Sequence, residues 1–191
     1  MLILAGLGNP GASHARQRHN IGFMAVDALV HRRPGFGAEK ARFQSLVRDG
    51  RLGGDKVLTL KPQTYMNRSG QAVGEAMRFY KLSPADLVVF HDELDLALGK
   101  VKVKQGGGHA GHNGLRSIAQ HIGLDFVRVR LGIGHPGDKD RVTGHVLGDF
   151  AKAEEPVVDD VCSAVEASAD YLAARDWPRF MTELARRLHS G

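Results

Sequence analysis

The sequence predicts an α/β fold: one domain over residues 1–191, built on a mixed, mostly parallel twisted sheet flanked by helices, with further helices at the C-terminal end. Three observations lead there. Strand-like and helix-like patterns alternate along the chain, the order that builds crossover connections. LVVFHDE, at 87–93, is a β-branched run of the kind buried on both faces of a parallel sheet. No linker, repeat or low-complexity segment divides the chain, and 191 residues suffice for a sizeable core.

The elements follow in order. LILAGL reads as a buried strand, and NIGFMAVDALVHRR as an amphipathic helix with Ile21, Met24, Ala25, Ala28 and Leu29 on one stripe. FQSLVRDG and DKVLTLK form a hairpin-like pair around Asp49 to Asp55. Ser69 to Lys81 is a second helix, carrying Val73, Met77 and Tyr80 inward. After the strand LVVFHDE, KVKVK alternates strictly, and FVRVRLGIG follows a short helix from Leu115 to Ile122. From Glu154 onward the pattern is helical, with Trp177-Pro178 marking a break before RFMTELARRLHS.

Composition narrows the classes. The hydrophobic fraction of 42% is that of a globular chain, and no apolar run reaches spanning length. LILAGLG is too short and uncharged at its start for a signal peptide. Cys162 is the one cysteine, so no internal disulfide forms and a reducing compartment, the cytoplasm, is expected. Its place in VVDDVCSAVEASADYLAAR suggests packing, not a nucleophile. A net charge of +5 leans toward polyanionic partners.

GLGNPG, Gly6 to Gly11, has the Gly-x-Gly-x-x-Gly spacing of dinucleotide-binding turns. That motif needs a helix starting at the glycines, whose amides hold the pyrophosphate. Here Pro10 removes a donor, ASHARQRH carries no apolar stripe, and the helix starts only near Asn20. The acidic residue at the required distance, Asp27, falls inside that helix. No Gly-x-x-x-x-Gly-Lys-Ser/Thr is present either, so neither a dinucleotide nor an NTPase site is expected.

What remains at the strand ends is polar. Asn9 follows the first strand, His91, Asp92 and Glu93 end a buried one, KPQTYMNRSG presents Asn67 after another strand, and Asn113 stands at the start of a helix. In open α/β sheets the carboxyl edge is where ligands bind. Singly, each asparagine reads best as a cap or loop residue. Together, and in this order, GLGNPG, RHNIG, YMNRSG, HDELDL, GGGHAGHNGL and RVRLGIGHPG closely resemble the bacterial peptidyl-tRNA hydrolase family, from about Leu2 to Phe150.

That resemblance implies a monomeric α/β hydrolase with no metal or other cofactor. It would cleave the ester joining a peptide to the 3′-terminal ribose of tRNA and so recycle tRNA. By resemblance His19 is the base that activates water, in keeping with an imidazole pKa of about 6.5. Asp92 would accept a hydrogen bond from its other nitrogen. Asn9 and Asn67 would place the peptide ester and the water, one amide stabilising the oxyanion, and Asn113 would bind the peptide backbone. His112 and Met66 would shape the pocket wall. The partner is peptidyl-tRNA, held at its acceptor end and 5′-phosphate, with no membrane and no obligate protein partner.

In KVKVK, Lys100, Lys102 and Lys104 share one face, as do Arg128 and Arg130 on their strand. Taken alone, the lysines read equally well as protection of a sheet edge. The resemblance makes Lys104 and Arg130 the clamp for the 5′-phosphate, with Lys102 adding to the basic surface. GHPGDKDRVTGHVL is expected to be a mobile rim of the groove. His14 stands where the family commonly has tyrosine, and Gln17 where it has threonine, which puts a second histidine near the site. Ala97-Leu98 and Ala110 replace frequent prolines and a glycine.

Two other classes are weighed. His91-Asp92-Glu93 and His109-x-x-His112 could ligate a metal in a metal-dependent hydrolase, although His109 sits among glycines. A non-catalytic tRNA-binding module could use the basic strands alone, but such modules display aromatic platforms and this chain has few aromatics.

Overall fold

The computed structural model describes residues 1–189. Its centre is a seven-stranded sheet of order β2-β3-β4-β1-β5-β7-β6. The strands are β1 (Leu2–Gly6), β2 (Lys40–Arg42), β3 (Ser45–Leu52), β4 (Asp55–Pro62), β5 (Leu87–Glu93), β6 (Val101–Gln105) and β7 (Val127–Gly132). The four central strands β4-β1-β5-β7 run parallel, while β3 and β6 join them antiparallel and β2 pairs antiparallel with β3. This is the mixed, mostly parallel sheet that the alternating pattern predicts.

Each central strand sends alternate side chains into two cores. Leu2, Leu4, Val88, Phe90, Val127 and Val129 face α1 (Ile21–Arg32), α5 (Glu155–Ala167) and α7 (Trp177–His189). Ile3, Ala5, Leu58, Leu60 and Val89 face α2 (Ser69–Phe79) and α3 (Asn113–Ile122). On α1 the expected residues Ile21, Ala25 and Leu29 are buried, while Met24 and Ala28 pack at the margin. Cys162 is buried in α5, and that burial pushes its thiol up to about 12, so it packs and does not react.

Boundaries differ from the sequence reading where backbone chemistry overrides periodicity. α2 stops at Phe79, because Lys81 is left-handed (φ 55°) and the Leu82 and Lys81 amides close onto the Met77 and Arg78 carbonyls. The β3–β4 turn is tighter than expected, at Gly53–Gly54 with φ 57° and 91°. α3 begins at Asn113, two residues before Leu115, because the His112 side chain caps it. The C-terminal break falls at 174–176, where Arg175 has φ 58°, and Trp177-Pro178 instead open α7. A proline in a first helical turn forfeits no hydrogen bond. A short α6 (Ala169–Ala173) also separates α5 from α7, and Ser190 lies outside the described residues.

The glycine motif serves helix packing. Gly6 at the end of β1 faces Gly22 in the first turn of α1, so closely that a Cβ on Gly6 would meet the Gly22 carbonyl and stand 2.8 Å from Val26 Cγ2. A Cβ on Gly22 would stand 2.6 Å from the Leu7 amide nitrogen and overlap the Phe90 carbonyl. The chain therefore crosses from β1 to α1 at minimal separation, against the β1/β5 junction where strand order diverges. That crevice is the usual ligand site of such sheets. Gly22→Ala is expected to lower stability by about 1–3 kcal/mol, the scale of forced overpacking. Urea unfolding checks it; an unchanged midpoint would show that α1 has room to retreat.

Candidate active site

β5 ends in His91, Asp92 and Glu93 at the carboxyl edge of the sheet. The Asp92 carboxylate is almost fully buried and is held from two sides: Oδ2 lies 2.8 Å from His19 Nδ1, and Oδ1 lies 2.8 Å from His112 Nε2. His19 sits in a 3-10 turn, Arg18–Asn20, just before α1. His112 comes from the loop before α3, and its Nδ1 accepts the Gly114 and Leu115 amides at 3.1 and 3.2 Å. Those amides can only donate, so His112 Nδ1 is bare and its Nε2 carries the hydrogen given to Asp92. His19 Nδ1 donates to the other carboxylate oxygen, which leaves His19 Nε2 as a lone pair with no protein partner among the described residues.

Burial alone would raise the Asp92 pKa. The charge and hydrogen bond of His112, followed by those of His19, instead carry it well below the usual carboxylate range. Beneath lies His91, buried, with its ring edge-on to His112 at 5.2 Å. Its Nδ1 donates to the Asp92 carbonyl at 2.8 Å. Burial, then charge interaction with His112, lowers the His91 pKa to about 3, so it is a neutral spacer.

Asn9 is fixed by a residue that the sequence reading left out of the site. Asn20, buried beside His19, accepts the Asn9 amide through Oδ1 and donates Nδ2 to the Asn9 carbonyl, both at 2.9 Å. The Met66 amide donates to Asn9 Oδ1 at 2.8 Å. Only the Asn9 Nδ2 amino group is then free to donate. Asn67 and Asn113 are exposed, and among the described residues their side chains meet no protein partner.

An open cavity of about 670 Å³ unites much of this, with His19, Asp92, His112 and Asn113 on its wall. Lys104, Arg128 and Arg130 form a cationic side, and Leu94, Val142, Val146 and Leu147 an apolar one. Part of the rim GHPGDKDRVTGHVL thus lines the cavity, folded as a 3-10 turn and the short α4 (Val142–Val146). Asn9, Asn67, Met66, His14 and Lys102 do not line it: Met66 is buried and packs against Gly114, and Lys102 points to solvent. Among the described residues, the buried atoms His14 Nδ1 and Gln17 Oε1 meet no hydrogen-bond partner.

A family model described as peptidyl-tRNA hydrolase matches residues 3–190 of the chain. The chain belongs to the peptidyl-tRNA hydrolase family. Among curated relatives bearing that name, one from Ruegeria pomeroyi is 62% identical over 187 residues, 98% of this chain and 78% of its own length. Another, from Erythrobacter litoralis, is 57% identical, with both chains fully covered. A crystal structure of the enzyme from Acinetobacter baumannii superposes with TM-score 0.90 at 41% identity, over 96% of this chain and 94% of that one.

The geometry also decides how the remaining histidines are used. His19, Asp92 and His112 bring ligand-type atoms within 4.8 Å of one another. Yet His112 Nε2 is a donor, so the three are wired as a hydrogen-bond chain and not as a set of lone pairs. His109 lines the cavity but stands outside that group, its Nδ1 accepting the Gly111 amide at 3.0 Å. Arg128, which shares a face with Arg130, is buried and donates to the carbonyls of Gly107, Gly108 and Leu124, pinning the glycine loop that leads to His112.

The neutral, buried His91 gives a pH signature. An unfolded imidazole binds its proton near pH 6.5 and this one only near 3, so stability falls as pH drops through that window. His91→Asn, which retains a donor at the Nδ1 position, is expected to flatten the decline between pH 6.5 and 4 in urea midpoints. An equally steep decline would assign it to other groups.

Proposed function

We propose that this chain hydrolyses the ester between a peptide and the 3′-terminal ribose of tRNA, with water as the nucleophile and His19 as the general base. The family assigns the hydrolase class. The observation that carries the residue-level reading is the His19 tautomer, with Nδ1–H committed to Asp92 and the Nε2 lone pair left open. Water gives a proton to Nε2 as its oxygen attacks the ester carbonyl carbon. The charge that develops on the carbonyl oxygen meets the Asn9 amino group, whose orientation is fixed by the Met66 amide on Asn9 Oδ1. Collapse breaks the bond to the ribose 3′-oxygen, which takes the proton back from His19, releasing a peptide acid and tRNA. Asp92 stabilises the imidazolium in between. Asn67 and Asn113, free of protein partners, take the peptide carbonyls and amides.

On the cationic side of the cavity, Lys104 and Arg130 hold the 5′-phosphate of the tRNA, contacts that position without reading base sequence. Lys102 adds long-range attraction. The enzyme works as a monomer in the cytoplasm; no helix among the described residues is long and apolar enough to cross a membrane.

With chelator present, the wild type is expected to release N-acetyl-amino acid from N-acetyl-aminoacyl-tRNA. His19→Ala should lose about 100-fold or more in kcat, the scale of general-base catalysis, while still binding tRNA. Loss of wild-type activity on chelation would favour a metal-dependent hydrolase. Equal activity of the two proteins would remove His19 from the chemistry, and inactivity of both would favour a binding module.

A further inference from the structure

Glu93 is an acidic residue in the wall of the cavity, next to the cationic side formed by Lys104, Arg128 and Arg130. It follows Asp92 in β5, and strand alternation sends it to the opposite face. The register pairs His91 with Arg130 and Glu93 with Gly132, so Glu93 shares its face with Arg130. Its Oε1 accepts Arg130 Nε at 2.9 Å, and its Oε2 accepts the Asp95 amide at 3.3 Å. The carboxylate is thus fixed at both oxygens, and its side chain is only 13% exposed.

Arg130 offers five donors, and this pairing uses the inner one. Among the described residues its two Nη groups meet no protein acceptor, and the side chain lines the cavity. Its neighbour Arg128 has no carboxylate partner among the described residues: burial, then the charge of Arg130, lowers its pKa. Its fork is spent on backbone carbonyls. Arg130 would therefore be repelled by Arg128 and free to swing on its stem were Glu93 absent.

We propose that Glu93 is a positioning residue for recognition of a terminal phosphate: by holding Nε it presents the two Nη groups of Arg130 as a fixed fork to a phosphomonoester. This rests on the reading that Lys104 and Arg130 hold the 5′-phosphate. A guanidinium fork binds phosphate bidentately, whereas an ammonium such as Lys104 acts as a point charge. A carboxylate at this place lowers the attraction for an anion, so its contribution is geometric. It removes before binding an ordering cost that a free arginine would meet on binding. The two effects have opposite signs, and the experiment reads which is larger.

KM and kcat are measured for wild type, Glu93→Ala and Glu93→Gln at about 0.15 M salt, where charge effects are damped within roughly 8 Å. The substrate is N-acetyl-aminoacyl-tRNA, either with its 5′-phosphate or after phosphatase treatment. Dephosphorylation is expected to raise the wild-type KM. Glu93→Ala should raise KM about three- to tenfold, the scale of ordering one long side chain, on the phosphorylated substrate only. Its kcat and pH profile should stay as in wild type, which shows that the adjoining Asp92 cluster is intact. Glu93→Gln, whose amide oxygen accepts the same N–H, should recover most of the loss. An unchanged or lowered KM in Glu93→Ala overturns the proposal and leaves the phosphate clamp standing. So does a rise that is equal on both substrates, or one accompanied by loss of kcat. Wild-type indifference to the 5′-phosphate removes the clamp, and the role of Glu93 with it.

Discussion

A single buried carboxylate, Asp92, holds one imidazole on each oxygen at 2.8 Å, and the geometry of the site depends on that arrangement. A charge in that position would be costly by itself; two hydrogen-bonded partners offset the lost hydration. The order of constraint can be traced. The amides that open α3 fix the tautomer of His112, His112 occupies one oxygen of Asp92, and the other oxygen then fixes His19. The parallel strand β5 delivers the carboxylate, and the close crossing of Gly6 and Gly22 brings the turn bearing His19 to meet it.

Around this centre the site separates into parts with different physical tasks. The Asn20 side chain holds the Asn9 backbone at both its amide and its carbonyl, and the Met66 amide holds Asn9 Oδ1, so the Asn9 amino group is turned toward its free side. The cationic side stands on β6 and β7, whose register aligns Lys102 with Arg130 and Lys104 with Arg128. Equal exposure of these side chains would suggest a uniform basic patch. They are instead distinct: Arg128 is consumed by the glycine loop, Arg130 is oriented by Glu93, and the lysines remain outside the backbone network.

Much of this was legible in the sequence, and the reasons are specific. LVVFHDE announced a buried parallel strand, and the glycine motif with its misplaced Asp27 excluded a dinucleotide site. The order of the motifs pointed to the family. The family resemblance pairs His19 with Asp92, and the two are bonded. The double use of Asp92 was not legible, because no local signal tells that His112, twenty residues on, returns to the same carboxylate. The sequence marks Asn20 only as a helix boundary; its reciprocal bonds to Asn9 depend on a tertiary approach that GLGNPG and RHN do not encode singly. Alternation put Arg128 and Arg130 on one face, but burial of one and partial exposure of the other depends on where the glycine loop lies. The break placed at Trp177-Pro178 failed because a proline opens a helix as readily as it ends one.

Asp92 holds His19 with its Nε2 lone pair free. Nitrogen-15 NMR of the two imidazoles near neutral pH, in wild type and in Asp92→Asn, reads that arrangement. Hydrogen is expected on Nδ1 of His19 and on Nε2 of His112, with the His19 preference lost in Asp92→Asn. A His19 that carries its hydrogen on Nε2 in the wild type, or one indifferent to the change at Asp92, would contradict it.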